Sequence, residues 1–151
     1  MPWTSNILVL ANETAGSPEL AAALAARGVG SRASFQLVLP CAFGLRRADA
    51  ERRLGFALER LQALGLDVKG RVGAPDPLIA AVEAWDPAAF DEVVVSTLPN
   101  EASRWLEIGL PRRIARRTGA PVQHVEATRD WLDEPPADVA ATQRVASTGV
   151  R

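Results

Sequence analysis

The sequence is poor in the residues that most often bind metal ions or form covalent links. Its 151 residues include one cysteine, Cys41, and one histidine, His124. A single cysteine excludes an intramolecular disulfide, and one histidine leaves little material for a Cys/His metal site or a Ser-His-Asp triad. We therefore expect no metal ion, and the chemistry that remains open is that of carboxylates alone.

The sequence also has little net charge and no long apolar run. The formal net charge of −1 provides no overall basic field that would draw the protein onto nucleic acid or anionic lipid. The apolar run Ile7 to Ala11 is too short for a membrane span or a signal-peptide core, and no positively charged segment precedes it. We expect a cytoplasmic protein with no nucleic-acid and no membrane partner.

The remaining composition is that of an ordinary globular protein, with 48% hydrophobic and 23% charged residues. Apolar or alternating segments bounded by turn residues predict five strands. These segments read NILVLAN, ASFQLVLP, LDVKGRVG, FDEVVVSTL and APVQHVEA. The first and fourth are the most continuously apolar, as in strands covered on both faces, whereas the alternation of LDVKGRVG indicates an edge strand.

Start and stop signals predict four helices between these strands. Ser17 before Pro18, and Asp76 before Pro77, are each a cap followed by a first-turn proline. A longer helix is predicted from Ala48 to Leu64, where Gly65 ends it. The last helix is predicted to start beyond Gly109, with Pro111 in its first turn.

Strands that alternate with helices predict an α/β fold with a single doubly wound, mostly parallel five-stranded sheet. We assign residues 1–128 to this domain. Residues 129–151 are rich in Pro, Asp, Ala and Ser with little periodicity, so we predict a flexible C-terminal tail whose start is pinned by Trp131 and Leu132.

In such sheets a ligand lies beyond the carboxyl ends of the strands, where the strand order reverses. If the two most apolar strands are central neighbours, that crevice lies between the segments 12–14 and 96–99. The first segment contributes Asn12, Glu13 and Thr14, and the second contributes Ser96 and Thr97.

Three stretches of the sequence resemble the universal stress protein family, a five-stranded nucleotide-binding α/β fold, and the resemblance runs from about Ile7 to Val125. The stretch ILVLANET has the family's strand followed by a polar segment, with Asn12 where the family usually has an aspartate that contacts adenine and ribose. The stretch VGAPDPLIAAV is similar to the family's Gly-Asp-Pro segment. The third stretch is the phosphate loop, which in ATP-binding members reads Gly, two residues, Gly, nine residues, Gly, then Ser or Thr.

On this chain the loop spacing is present but most of its chemistry is absent. The four positions hold Ser96, Pro99, Gly109 and Leu110. Ser96 adds a side chain where the backbone approaches phosphate, Pro99 has no N–H to donate, and Leu110 has no hydroxyl. Each lost charge-assisted hydrogen bond is worth roughly 1.5–3 kcal/mol, so losing two or three weakens triphosphate binding by on the order of 10²–10⁶.

Several polar groups nevertheless remain around the loop. Hydroxyl or amide groups are present at Ser96, Thr97, Asn100 and Ser103. Arg104 carries a guanidinium, and Gly109 leaves a helix N-terminus open to an anion. The alternative is that these serines and threonines satisfy backbone groups of a tight loop while Arg104 lies in solvent.

The resemblance implies a non-enzymatic regulatory or binding domain of the stress response, with weak or absent ATP binding. No cofactor is certain, and binding of ATP or AMP at low affinity is an open alternative. It also implies a homodimer through the last strand, at Val122, Gln123, His124 and Val125. The alternative is an ATP- or AMP-binding stress sensor with a non-standard phosphate loop. An enzyme is a third hypothesis, but it would need a general base or metal-binding carboxylates, and the sequence positions a single acid, Glu13, at the crevice.

Overall fold

The computed structural model describes residues 4–28, 32–99 and 103–128. Five strands occur in this part of the chain: β1 (Thr4–Leu10), β2 (Arg32–Pro40), β3 (Asp67–Gly73), β4 (Glu92–Thr97) and β5 (Val122–Glu126). The helices are α1 (Pro18–Arg27), α2 (Arg47–Ala63), α3 (Pro77–Ala84), α4 (Arg104–Glu107) and α5 (Leu110–Thr118).

The strands form one all-parallel sheet in the order β3-β2-β1-β4-β5, which confirms the predicted α/β fold. The two most apolar strands are neighbours, with Ile7 opposite Glu92 and Leu10 opposite Val95. The chain proceeds from β1 toward one edge and later from β4 toward the other, so the strand order reverses between β1 and β4. β3 lies at an edge, as its alternating pattern predicts.

The period-two alternation of β1 divides the core between the two faces of the sheet. Ile7 and Val9 pack with apolar side chains of α1 and α2, whereas Leu8 and Leu10 pack with α3 and α5 on the opposite face. All four side chains are fully buried. Side chains of β4 likewise alternate between the apolar cores on the two faces of the sheet, with Val94 on one face and Val93 and Val95 on the other. Burial on both faces explains the continuous apolar runs of β1 and β4.

The predicted caps are present. The Oγ of Ser17 accepts a hydrogen bond from the backbone N–H of Leu20 at 3.1 Å, and Oδ1 of Asp76 accepts one from Leu78 at 2.8 Å. Pro18 and Pro77 occupy the first turns of α1 and α3. Gly65 follows α2 at a φ of 83°, the left-handed conformation in which a helix commonly ends.

The structure differs from the prediction of four helices by one short helix, α4. Its cap is Ser103, whose Oγ accepts from the backbone N–H of Leu106 at 3.3 Å. Four residues are too few to produce an apolar period, so the sequence pattern of this segment indicates only a polar loop. The predicted tail, residues 129–151, lies outside the described residues. Across the described ranges, no helix is both long enough and apolar enough to cross a membrane.

The contact of α2 with β3 depends on a glycine. A Cβ at Gly70 would lie 2.8 Å from Cδ1 of Leu54 and 3.1 Å from the carbonyl oxygen of Leu37. We expect Gly70→Ala to lower the free energy of unfolding by about 1–3 kcal/mol through overpacking. A Cβ at Gly55, within α2, would meet no neighbouring group within 4 Å, so Gly55→Ala is the matched control and should raise stability by about 0.5–1 kcal/mol. Urea denaturation measures both, and equal effects of the two substitutions would contradict this account.

Candidate functional site

A crevice of about 400 Å³ opens at the carboxyl ends of β1 and β4. Its lining residues are Asn12, Glu13, Thr14, Ala42, Ser96, Thr97, Leu98, Ser103, Arg104 and Trp105. All of the predicted binding residues except Gly109 are therefore brought together. Gly109 lies at the N-terminus of α5 and is not among the lining residues.

A buried hydrogen bond within the crevice lining joins the loop that follows β1 to the end of β4. The hydroxyl oxygens of Thr14 and Ser96 are 2.6 Å apart, and both side chains are almost completely buried. One hydroxyl donates and the other accepts, so each satisfies part of the hydrogen-bonding capacity of its partner. The hydroxyl of Ser96 is thus engaged within the protein.

Thr97 connects the crevice to the edge of the sheet. Its Oγ1 donates to the carbonyl of Leu98 at 2.8 Å and lies 2.6 Å from Nε2 of His124 in β5. In the second contact either atom can be the donor, because the role of Nε2 depends on the tautomer of the imidazole. The two contacts engage the Thr97 hydroxyl within the protein.

Asn12 is held by a residue that the sequence does not associate with the site. The guanidinium of Arg53, at Nη1, donates to Oδ1 of Asn12. Arg53 belongs to the middle of α2, where its spacing indicates an ordinary charged helix face. Its proximity to β1 follows from how α2 packs on the sheet, so no signal in the sequence could have identified it.

The outer wall of the crevice consists of α4. Arg104 is exposed, whereas Trp105 is half-buried and packs against the core cluster that contains Leu110 and Ile114. Trp105 therefore both lines the crevice and fastens α4 to the domain. The structure describes no cluster of three or more His, Cys, Asp or Glu that would hold a metal ion within residues 4–28, 32–99 and 103–128.

No family model matches the sequence, and no curated protein sequence matches it significantly. The structure, however, is similar to a crystal structure of a universal stress protein in complex with cAMP. The two chains share 20% sequence identity and superpose with a TM-score of 0.59, over 82% of this chain and 98% of the other. The chain has the universal stress protein fold. The resemblance seen in the sequence is confirmed at the level of the fold.

The residues at the last two positions of the phosphate-loop spacing, Gly109 and Leu110, both have structural roles in this protein. Gly109 caps α5 at a φ of 64°, a conformation that favours glycine, and its backbone carbonyl accepts from Arg113. Leu110 is fully buried in the core below α5. A hydroxyl residue at this position would leave a cavity in the core and require a new hydrogen-bond partner. Asn100, a further predicted donor of the loop, lies outside the described residues.

The hydrogen bond between Thr14 and Ser96 generates a prediction about stability. We expect Thr14→Val and Ser96→Ala each to lower the free energy of unfolding by about 1–3 kcal/mol, since each leaves a buried hydroxyl without its partner. The double variant should lose less than the sum of the two, because it removes both hydroxyls. Chemical denaturation of the four proteins completes the cycle. Strict additivity would show that the two hydroxyls do not interact.

Proposed function

We propose that the chain is a non-enzymatic, universal stress protein-like regulatory domain that binds ATP weakly or not at all. The observation that carries this proposal is that the hydroxyls facing the crevice are already used within the protein. Ser96 bonds Thr14, Thr97 bonds Leu98 and His124, and Ser103 caps α4. A triphosphate would have to compete with these contacts for its donors.

The backbone at the loop supports the same proposal. Pro99 has no N–H, and the first glycine of the ATP-binding pattern is replaced by Ser96, whose side chain is buried rather than absent. Pro99 therefore removes one donor from the concave set of backbone N–H groups on which phosphate loops depend, and the Ser96 side chain occupies space that a glycine would leave open to phosphate. Glu13 adds a carboxylate to the crevice lining, and its charge opposes a polyphosphate.

The absence of enzymatic activity is proposed on the same chemistry. Hydrolysis of a phosphoanhydride needs a positioned base or carboxylates that hold Mg²⁺. Among the crevice-lining residues that the structure describes, Glu13 is the single carboxylate. Hydrolysis of ATP by the purified protein that disappears in Glu13→Gln would overturn this part of the proposal.

A second candidate function is a sensor that binds AMP or another adenine nucleotide with few phosphates. The observation that favours it is the position of Arg104, which lines the crevice, is exposed and carries a guanidinium suited to a phosphate group. The similar crystal structure contains cAMP, which carries a single phosphate. A crevice of about 400 Å³ falls within the range of small-molecule sites.

Calorimetric titration with ATP, AMP and cAMP tests the proposal. We expect no saturable ATP binding at micromolar concentration in the parent protein, because the loop provides too few free donors. In Ser96→Gly combined with Pro99→Gly, ATP affinity should rise by at least about tenfold, the factor expected from one regained hydrogen bond of about 1.5 kcal/mol. A micromolar dissociation constant for ATP in the parent protein would overturn the proposal.

The same titration separates the two candidate functions. If AMP or cAMP binds through Arg104, Arg104→Gln should weaken it by about tenfold or more, as expected for a lost charge-assisted hydrogen bond. Arg112→Gln, which removes an exposed arginine of α5 that does not line the crevice, is the matched control. Equal affinities in the two variants would remove the sensor hypothesis.

We also propose that the protein forms a homodimer through β5 and acts in the cytoplasm in the stress response. Backbone bonds from Val93 to Pro121 and from Ala127 to Thr97 show that odd-numbered residues of this region bond β4. The N–H groups of even-numbered residues, such as His124, therefore point to the open edge of the sheet. An unpaired strand edge is a template for pairing with a second chain.

Of the predicted interface side chains, Val125 is buried in the core and Gln123 accepts a hydrogen bond from Arg27. Backbone groups would therefore carry much of the contact between the two copies.

Sedimentation velocity tests the dimer. We expect the parent protein to sediment as a dimer at micromolar concentration, and His124→Pro to shift it toward monomer, because proline removes an outward N–H without touching the bonds to β4. His124→Ala also loses the contact with Thr97 but keeps the N–H, so it should stay dimeric. A monomeric parent protein, or equal dissociation of both variants, would contradict pairing through this edge.

A further inference from the structure

A second cavity lies between α1 and α2, away from the crevice. Its volume is about 570 Å³, larger than that of the crevice. Apolar side chains dominate its walls: Ala21, Ala22 and Ala25 from α1, and Leu61, Ala63 and Leu64 from α2 and its end. Leu64 is 63% exposed. We call this cavity the α1/α2 groove.

The described chain ends next to this groove. Thr128 follows β5, and both its backbone N–H and its hydroxyl donate to Oε1 of Glu19, at 3.3 and 2.8 Å. Glu19 belongs to the first turn of α1, and its neighbour Pro18 lines the α1/α2 groove. The described chain therefore ends against α1, the helix that forms one side of the α1/α2 groove.

The distance to the groove matches the spacing of the next apolar residues. Residues 129–151 lie outside the described residues, and their first large apolar side chains are Trp131 and Leu132. Three residues span up to about 10 Å, which is about the diameter of a helix. A chain that crosses the first turn of α1 from Thr128 thus delivers the indole to the groove.

We propose that Trp131 and Leu132 of the same chain occupy the α1/α2 groove and hold the C-terminal segment against the domain. The indole and the isobutyl group cover the apolar walls and the exposed Leu64, and Thr128 is the fixed point from which the segment crosses α1. This inference is independent of nucleotide binding, since the groove and the crevice share no lining residue among those that the structure describes.

Limited trypsin digestion of the full chain tests the proposal. The segment contains two cleavage sites, after Arg129 and after Arg144, and the second is an internal reference for intrinsic protease activity. Ala22→Glu places a carboxylate in the groove, where an apolar occupant is disfavoured. We expect the rate at Arg129, relative to that at Arg144, to rise by about tenfold or more in Ala22→Glu, since cleavage follows the undocked population.

Ala26→Glu is the matched control, because Ala26 is exposed on the same helix one turn later and does not line the groove. It should leave the relative rate unchanged. Leu132→Asp alters the occupant and leaves both helices intact, so it should reproduce the effect of Ala22→Glu even if that variant folds poorly. Circular dichroism monitors folding in each case.

Each outcome decides between occupants. Equal relative rates in the parent protein, Ala22→Glu and Leu132→Asp would overturn the proposal. Protection of Arg129 that disappears on dilution would assign the groove to the segment of a second copy, which would also overturn occupancy by the same chain. Protection that is independent of concentration and lost in both variants, but kept in Ala26→Glu, would support it.

Discussion

The parallel pairing of β1 with β4 is the constraint on which the rest of the molecule depends. These two strands are distant in sequence, and their contact joins the half of the sheet that grows toward β3 to the half that grows toward β5. It also brings two polar segments, 12–14 and 96–99, to one place at the carboxyl edge. A crevice arises there because the connections from the two strands diverge to opposite faces of the sheet. The hydrogen bond between Thr14 and Ser96 joins these segments at the crevice.

The same hydrogen bond is the physical basis of the proposal that this crevice binds phosphate weakly. A glycine at position 96 would leave the backbone accessible and Thr14 unpartnered. Serine instead fills the space and satisfies Thr14, so side-chain polarity is directed inward, where it stabilises the fold. Leu110 places an aliphatic group in the core at the position where the phosphate-loop pattern has a hydroxyl residue. Polar residues around a crevice therefore indicate ligand binding only when their donors and acceptors are free.

Most of the architecture was predictable from local pattern, and the reasons are visible in particular residues. Helix starts and ends are signalled by residues that are close together in the sequence, and the structure has the predicted element at each signal. The examples are Pro18 after Ser17, Pro77 after Asp76, and Gly65 after a helix with a regular apolar period. The unbroken apolar runs of β1 and β4 predicted that they are central, because both of their faces are covered. The short helix α4 was missed, since one turn held by Ser103 and fastened by Trp105 has no period to detect.

The site was predictable as a place but not as a set of contacts. Seven predicted binding residues line the crevice, because the carboxyl ends of neighbouring parallel strands lie at the same edge of the sheet. They are Asn12, Glu13, Thr14, Ser96, Thr97, Ser103 and Arg104. The partners of these residues depend on packing between elements: Arg53 reaches Asn12 across the gap between α2 and β1, and His124 reaches Thr97 from the edge strand. The sequence by itself determined the order and type of the elements, since those follow from hydrophobic period, caps and turn residues. Only the tertiary structure decided which hydroxyls remain available to a ligand, because that depends on angles and separations between segments far apart in the chain.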